Sequence, residues 1–227
     1  MDRPGYADRI EGAPGMRGLL ITFEGPEGAG KTTQARRLVD RLEERGLRSL
    51  YAREPGGTPT GEAIRAILQY DQTGEPIVAE AEALLFAASR AQLVRRVIRP
   101  ALEQGVWVVC DRFADSTTAY QGYGRGFCLA DVEAINRFAI GDTVPNRTFL
   151  LDLDISAGFA RLASRQCADG AQADRMERED RAFHERVRAG YLALARAEPA
   201  RFRVVDALAD ADTVAAHIWE ALHDVLP

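Results

Sequence analysis

A single lysine stands among the 29 lysine and arginine residues of the chain, and it lies in a glycine-rich segment. Residues 25–32 fit G-x-x-x-x-G-K-[ST], a loop whose backbone N–H groups surround phosphates while its lysine reaches the β and γ oxygens. An ammonium is a compact point charge and a guanidinium a planar fork, so one lysine kept among arginines indicates a task for a point charge. The sequence predicts a phosphate loop that binds a nucleotide cofactor through Gly25, Pro26, Glu27, Gly28, Ala29, Gly30, Lys31, Thr32 and Thr33.

Residues on both sides of the phosphate loop have the patterns of a strand and a helix. Residues 19–23 form a short apolar run typical of a buried parallel strand, and Ala35, Leu38 and Leu42 recur at helical spacing after the loop. The loop would therefore open onto a helix N-terminus, where partial positive charge and unpaired N–H groups favour phosphate. A glycine-rich turn that contains a lysine by chance is the competing interpretation.

A second charged pair follows another apolar run. Residues 106–110 predict a buried strand that ends at Asp111 and Arg112. Asp111 is predicted to orient Mg²⁺, whose other protein ligand is the Thr32 hydroxyl of the phosphate loop, and Arg112 to hold a second phosphate group. The alternative is a structural ion pair at the strand end.

Phe86 and Arg90 lie four residues apart, a spacing that places both side chains on one face of a helix. An aromatic plane and a guanidinium on one face can contact the same heterocyclic base. Phe86 taken alone also fits a core position. The residues by themselves leave both interpretations open.

Composition argues against several classes of protein. A net charge of −5 disfavours nucleic acid as the main partner, and no apolar run approaches the ~20 residues of a membrane span. Residues 1–15 lack the apolar core of a signal peptide, so a cytoplasmic location is expected. Cys110, Cys128 and Cys167 show no Cys-x-x-Cys pairing, which predicts reduced thiols and no zinc site. Residues 1–16 are predicted to be a flexible leader before one domain at 17–227.

Apolar strand patterns alternate with helical patterns along the rest of the chain. Strands are predicted near 19–24, 48–53, 106–111, 147–153 and 202–206, and helices near 30–45, 60–69, 79–104, 130–140, 156–165, 180–197 and 211–225. This order predicts an α/β fold with a five-stranded parallel sheet flanked by helices and with ligands at the carboxyl ends of its strands. Residues 165–178 lack apolar periodicity and are predicted to form a mobile lid at that edge.

A phosphate loop alone is compatible with kinases, motor ATPases, GTPase switches and transporters. The guanine-reading motif Asn-Lys-x-Asp requires a second lysine, so a GTPase switch is disfavoured. Five segments together resemble bacterial thymidylate kinases in their order and spacing: residues 25–33, 53–58, 85–90, 111–113 with 116–125, and 174–177. The resemblance implies a P-loop nucleoside-monophosphate-kinase fold, transfer of the ATP γ-phosphoryl group to dTMP in dTTP synthesis, Mg²⁺ as cofactor, and a homodimer.

The resemblance also implies roles for individual residues. Phe86 would stack on thymine, Arg90 would donate to its O4 atom, Thr117 and Gln121 would lie near the base edge, and Tyr120 would fill the space beside C2′. Residues at the phosphate end of the acceptor pocket would be Glu54, Pro55, Arg65 and Arg112.

Catalysis is expected to rest on positioning and charge, because the acceptor phosphate is already ionised at neutral pH and needs no general base. The catalytic set would comprise Lys31, Asp111, Arg112 and Arg165. Arg165 is predicted to supply a lid cation, because the variable positions of the phosphate loop hold no arginine and Arg165 ends a predicted helix at the ligand edge. The alternatives are Arg161 and Arg175, the latter of which is expected to pair with the neighbouring Asp174 and Glu177. A kinase for another nucleoside monophosphate and a regulatory subunit without turnover are the competing functions.

Overall fold

A computed structural model of the chain describes residues 17–70, 74–170 and 174–226. Five strands form one parallel sheet in the order β2-β3-β1-β4-β5: β1 (Leu20–Glu24), β2 (Ser49–Arg53), β3 (Trp107–Asp111), β4 (Arg147–Asp152) and β5 (Phe202–Asp206). Every predicted strand is present within one residue of its expected ends, so the predicted fold class is confirmed. The predicted leader lies outside the described residues.

Helices cover both faces of the sheet. They are α1 (Lys31–Glu44), α2 (Pro59–Gln69), α3 (Ala79–Leu93), α4 (Arg99–Glu103), α5 (Ala114–Thr117), α6 (Leu129–Ile140), α7 (Ile155–Asp169), α8 (Arg181–Ala197) and α9 (Ala211–Glu220). Two π-helical segments, Val94–Ile98 and Thr118–Gly124, continue α3 and α5. None of the described helices combines the length and the apolar composition of a membrane span.

The sheet order determines which loops meet. β1 lies between β3 and β4, and Phe23 of β1 is in register with Asp111 at the end of β3. Arg53 at the end of β2 is in turn in register with Asp111. Because the strands are parallel, the phosphate loop, the Asp111–Arg112 pair and the turn after β2 emerge side by side at one edge.

The structure corrects four helical predictions. Residues 114–124, which were not predicted to be helical, form α5 and its π-helical continuation. Their glycines hide a helical pattern, yet Gly124 is needed for packing because a Cβ there would lie 2.7 Å from the Phe183 ring of α8. α9 ends at Glu220, five residues earlier than predicted, and the predicted helix 79–104 contains a π-helical segment.

The fourth correction concerns the predicted lid. α7 does not end at Arg165 but continues to Asp169, where Gly170 adopts a left-handed conformation with φ 65°. Glycine reaches this conformation without the penalty that a Cβ imposes, which is why helices often end there. Arg165 therefore lies within a helix, and among the described residues the non-helical part of the lid begins after Asp169.

Candidate active site

The phosphate loop connects β1 directly to α1. Gly25 and Gly28 have φ of 141° and 73°, and a Cβ at either position would lie within 2.5 Å of a backbone oxygen, that of Leu151 or of Gly158. Neither position tolerates a side chain, because both the backbone conformation and the space exclude it. Gly30 caps α1 without a side-chain hydrogen bond, so the first N–H groups of the helix face the loop without a capping oxygen.

Lys31 lies at the start of α1 and folds back over the loop. Its Nζ atom donates to the carbonyl oxygens of Gly25 at 3.0 Å and Pro26 at 2.8 Å, and the residue is only 7 % exposed. Burial lowers the pKa of Lys31 to about 8, and Arg112 adds to this effect while Glu27 opposes it. The ammonium is thus a buried cation at neutral pH, held at the centre of the loop.

Thr32 and Asp111, the predicted metal ligands, meet across the sheet edge. The Thr32 hydroxyl donates to Asp111 Oδ2 at 2.5 Å, and the Tyr51 hydroxyl donates to the same oxygen at 3.2 Å. A hydroxyl and a carboxylate are hard oxygen ligands of the kind that Mg²⁺ prefers. Clusters of three or more His, Cys, Asp or Glu at metal spacing do not occur among the described residues. This sparse set fits Mg²⁺, which takes few protein ligands when phosphates complete its shell.

Arg112 lies between the phosphate loop and the helical residues 114–124. Its φ of 68° is left-handed, a conformation that costs roughly 1–2 kcal/mol for a residue other than glycine. Its Nη2 atom donates to Glu27 Oε1 at 2.5 Å, and its guanidinium lies 5.1 Å from the centre of the Tyr120 ring. Arg112 therefore forms its ion pair with Glu27 of the phosphate loop rather than with a residue of its own strand end.

Glu27 was predicted only as a nucleotide-binding residue of the loop, yet its side chain contacts Arg112 and Tyr120. Glu27 Oε1 also accepts a hydrogen bond from the Tyr120 hydroxyl at 2.7 Å. Burial would raise the pKa of Glu27, but Arg112 and Lys31 outweigh it and lower the pKa to about 2. Glu27 is therefore an anion that joins the phosphate loop to Arg112 and Tyr120.

Arg90 is the centre of the predicted acceptor pocket, and it is 1 % exposed. It donates to Glu54 Oε2 at 2.7 Å, Asn136 Oδ1 at 2.8 Å, Thr117 Oγ1 at 2.9 Å and the Phe113 carbonyl at 3.1 Å. These contacts use four of the five N–H groups of the guanidinium, so one on Nη1 has no partner among the described residues.

Glu54 shares the buried environment of Arg90. Burial raises the pKa of Glu54 to about 7, although Arg90 opposes the shift. Its second oxygen, Oε1, is buried and has no hydrogen-bond partner among the described residues. The Arg90 pocket therefore holds both a donor and an acceptor that the protein itself leaves unused.

Phe86 lies one helical turn before Arg90 and is half-buried. A purely structural phenylalanine would be enclosed like Phe113, which is 0 % exposed. Phe86 is less enclosed than Phe113, so core packing does not account for all of its surface.

The turn after β2 closes the other side of this pocket. The Glu54–Pro55 peptide is cis, and Arg65 Nη1 donates to the Pro55 carbonyl at 3.0 Å. Ser89 Oγ accepts a hydrogen bond from the Gly56 N–H at 3.0 Å, which ties the turn to α3. Glu54, Pro55, Arg65 and Arg90 are thereby brought together.

Gln121 and Tyr120 lie on opposite sides of the π-helical segment 118–124. Gln121 Nε2 donates to the fully buried Glu82 at 2.7 Å, whereas Tyr120 reaches Glu27. Glu82 also accepts from Arg125 at 3.0 Å and from Arg175 at 2.5 Å. Glu82 had no place in the sequence prediction, since nothing in the local pattern distinguishes it from an exposed helical glutamate.

The arginines of the lid region differ in their partners. Arg175 was expected to pair with Asp174 and Glu177, but it reaches Glu82 of α3 instead. Arg165 is the one that pairs with Glu177, at 2.6 Å. Arg161, one turn earlier on α7, donates to the Gly28 carbonyl of the phosphate loop at 3.4 Å. Of the three, Arg161 is the one that contacts this loop.

The fold and the site together define a class of protein. A parallel sheet in this order, a phosphate loop after β1 and a second, arginine-centred polar cluster are features of P-loop kinases that act on a small acceptor. The family model for thymidylate kinase matches residues 23–218, and the chain belongs to this family.

Individual relatives agree with this assignment. The chain is 49 % identical to a thymidylate kinase of Nitrobacter winogradskyi over 93 % of the chain and 91 % of the relative. It is 50 % identical to one of Deinococcus radiodurans over 92 % and 98 %. The crystal structure of thymidylate kinase from Ehrlichia chaffeensis superposes with a TM-score of 0.72 at 32 % identity, covering 91 % and 99 %.

These comparisons confirm the predicted family and activity. The protein is an ATP-dependent nucleoside monophosphate kinase that phosphorylates dTMP. The roles of its individual residues are a separate matter.

Proposed function

We propose that the Arg90 pocket holds dTMP, that the phosphate loop holds MgATP, and that Arg112 lies at the junction between them. The observation that carries this proposal is that Glu27 of the phosphate loop bonds to both Arg112 and Tyr120, which are assigned to the acceptor site. The two proposed binding sites are thus in direct contact. In-line transfer needs the acceptor phosphate beside the γ-phosphate, and two adjacent binding sites meet that requirement.

The base is proposed to lie between Phe86 and the polar floor of the pocket. The N–H group that Arg90 leaves without a partner suits the O4 atom of thymine. Thr117 bonds to Arg90, and Gln121 bonds to Glu82, which lies two helical turns before Arg90 on α3. The partly buried Phe86 supplies the stacking surface.

Phe86→Ala is expected to raise the KM for dTMP, because stacking on an aromatic ring contributes ~1–3 kcal/mol per base. The affinity for ATP should stay unchanged, since Phe86 lies outside the phosphate loop. Initial-rate measurements with each substrate varied in turn test this. Equal weakening for both substrates would support a core-packing role instead, and the melting temperature would reveal a general loss of folding.

The phosphate of dTMP is proposed to lie between Arg112 and Arg65. Glu54 and Pro55 shape that end through the turn after β2 and its bond to Arg65. The acceptor oxygen attacks as an anion, so the residues orient it and neutralise charge rather than remove a proton. Lys31 contributes the point charge on the donor side.

Thr32 and Asp111 are proposed to hold Mg²⁺, whose oxygen ligands they match. When bound, Mg²⁺ neutralises charge on the β and γ oxygens of ATP. The hydrogen bond between the two side chains keeps both oxygens at the mouth of the loop.

Acceptor choice is tested by measuring ADP release with dTMP, dUMP, UMP, CMP and AMP under saturating ATP. We expect dTMP to give the highest kcat/KM. A higher value with another nucleotide would assign the Arg90 pocket to that base, and tight ATP binding without acceptor-dependent ADP release would favour a regulatory subunit.

Tyr120 is proposed to exclude a ribose hydroxyl by filling the space beside C2′. The residue is 5 % exposed and is fixed by its bond to Glu27 and by edge-to-face packing on Phe183 and Tyr191. A ring held from three sides is a rigid steric block.

Tyr120→Ala is expected to raise kcat/KM for the ribose analogue of dTMP relative to dTMP itself, because it removes this block. Tyr120→Phe is the matched control: it keeps the ring and loses only the hydroxyl, so the ratio should stay as in the wild type. An unchanged ratio in both variants would contradict the placement.

A homodimer and a cytoplasmic location are further proposals. α3 and α6 pack against each other and expose Leu84, Leu129 and Phe138, the last at 87 %. Large apolar side chains grouped on adjacent helices are typical of a subunit interface. The cytoplasm is supported by the cysteines Cys110, Cys128 and Cys167, all of which are free.

A further inference from the structure

Glu24 is the last residue of β1, and the roles proposed above leave it unused. It is 0 % exposed and directly precedes the phosphate loop. Burial raises the pKa of Glu24 to about 7, with Asp115 adding to the effect and Ser116 and Arg112 opposing it. A carboxylate placed where burial works against its charge needs compensating contacts, and all of them lie around Arg112.

Glu24 is bonded to the residues that enclose Arg112. Its Oε1 atom accepts from the Phe113 N–H at 2.8 Å, which fixes the peptide immediately after Arg112. Its Oε2 atom accepts from the hydroxyls of Ser116 at 2.6 Å and Tyr191 at 3.0 Å. Arg112 Nη1 in turn lies 3.4 Å from each of those hydroxyl oxygens.

The two hydroxyls have their direction determined by Glu24. The two hydroxyl oxygens also lie 2.8 Å from each other. Because the carboxylate only accepts, at least one hydroxyl donates its proton to Glu24, and the other donates either to Glu24 or to its neighbour. In both cases lone pairs of the hydroxyl oxygens remain for the guanidinium of Arg112. The Phe113 bond acts on the backbone, where Arg112 adopts its unfavourable left-handed conformation. One side chain thus restrains Arg112 from both its backbone and its guanidinium end.

We propose that Glu24 is a positioning residue that orients Arg112 toward the phosphate of the acceptor nucleotide. It does so through the Phe113 N–H and the hydroxyls of Ser116 and Tyr191, without touching the substrate. This inference rests on the proposed role of Arg112 as a ligand of the dTMP phosphate.

The test compares the binding of dTMP with that of thymidine, which lacks the phosphate, by isothermal titration calorimetry at pH 8. Glu24→Gln preserves size and can still accept from Phe113, but its amide N–H group donates to the hydroxyls and so reverses their direction. We expect about a tenfold loss of dTMP affinity, as for a weakened hydrogen bond to a charged group, with thymidine affinity unchanged.

Two further variants complete the design. Arg112→Ala should weaken dTMP but not thymidine, and Glu24→Gln should add little to it in the double variant, because both act on the same contact. Tyr191→Phe removes one hydroxyl and keeps the ring, so it should lower the affinity for dTMP and leave that for thymidine unchanged. This variant keeps the test available if Glu24→Gln lowers the melting temperature too far for binding to be measured.

Each outcome is decisive. Selective loss in Arg112→Ala without selective loss in Glu24→Gln and Tyr191→Phe would overturn the positioning role and leave the role of Arg112 intact. Failure of Arg112→Ala to discriminate dTMP from thymidine would refute the proposed role of Arg112, and the inference with it. Equal loss for both ligands in Glu24→Gln would show a structural role only.

Discussion

Lys31→Arg is expected to remove most of the kinase activity although the charge at this position is kept. The ammonium is 7 % exposed and lies within 3.0 Å of two carbonyl oxygens of its own loop. A guanidinium is broader and planar, so it cannot turn from these carbonyls to a transferring phosphoryl group in the same space. Loss of one preorganised donor to a developing charge typically lowers kcat by ~10²–10³-fold, and a loss in this range is expected.

The matched control makes the opposite exchange on the same helix. Arg37 lies on α1, and its side chain is 41 % exposed beside Asp212. Arg37→Lys should leave kcat unchanged. The measurement is ADP release at saturating ATP and dTMP, with ATP affinity determined separately to distinguish lost binding from lost turnover. A kcat near that of the wild type in Lys31→Arg would contradict the point-charge argument from which the assignment began.

Local sequence patterns were sufficient for the sheet and the phosphate loop. Residues 19–23 and 106–110 are apolar because β1 and β3 are buried on both faces, and parallel strands of this kind leave a clear signal. Because β1 and β3 run in the same direction, the residues that follow them, Gly25 and Arg112, must lie at the same edge of the sheet. The Thr32–Asp111 hydrogen bond is the kind of contact that this reasoning anticipates.

Contacts between distant parts of the chain were beyond those patterns. Arg90 is bonded to Asn136, 46 residues away, and nothing in the α6 pattern indicates that Asn136 is turned inward. The direction of the Glu27 side chain depends on Arg112, 85 residues later. The motif identifies the loop backbone, but the packing of β3 and residues 114–124 against it decides which way this side chain points.

The buried network around Arg112 illustrates a signal that sequence reasoning could have used. Glu24 interrupts an apolar run at the strand end next to the glycines, and an acid in such a place requires a partner. The partners, Ser116 and Tyr191, come from α5 and α8, so their identity needs the fold.

Substitution of Arg165 in the predicted lid is also expected to have a large effect on kcat. Arg165 lies on α7 four residues after Arg161, so the two share a helix face, and Arg161 contacts the Gly28 carbonyl of the phosphate loop. That face of α7 is therefore directed at the loop. The prediction that Arg165 ends a helix is wrong, because α7 continues to Asp169, but the position of Arg165 on this face still supports a role at the phosphates.

The partner of Arg165 can also be replaced. The Arg165 side chain is 53 % exposed, and its partner Glu177 lies in the lid. The Glu177 side chain is only 8 % exposed, but the Arg165 guanidinium is open to solvent, so a phosphate group can compete with Glu177 for it. Arg175 is less available, because it is held by the fully buried Glu82.

Arg165→Gln is therefore expected to lower kcat by ~10²-fold or more, toward the range of arginine fingers, with little change in the Kd of either substrate. Such a selective loss follows if the guanidinium meets the phosphates only when the lid closes over both substrates. Single-turnover and equilibrium-binding measurements separate the two quantities.

Two neighbours serve as controls for this result. Glu177→Gln releases Arg165 from its partner, so it should preserve kcat, whereas a general disturbance of the lid would lower it. Arg161→Gln tests the arginine that already contacts the loop. If Arg165→Gln stays within a few-fold of the wild type while Arg161→Gln or Arg175→Gln loses activity, the catalytic cation is that other arginine. If all three retain kcat, charge on the transferring group is neutralised by Lys31, Arg112 and the bound Mg²⁺ without help from the lid.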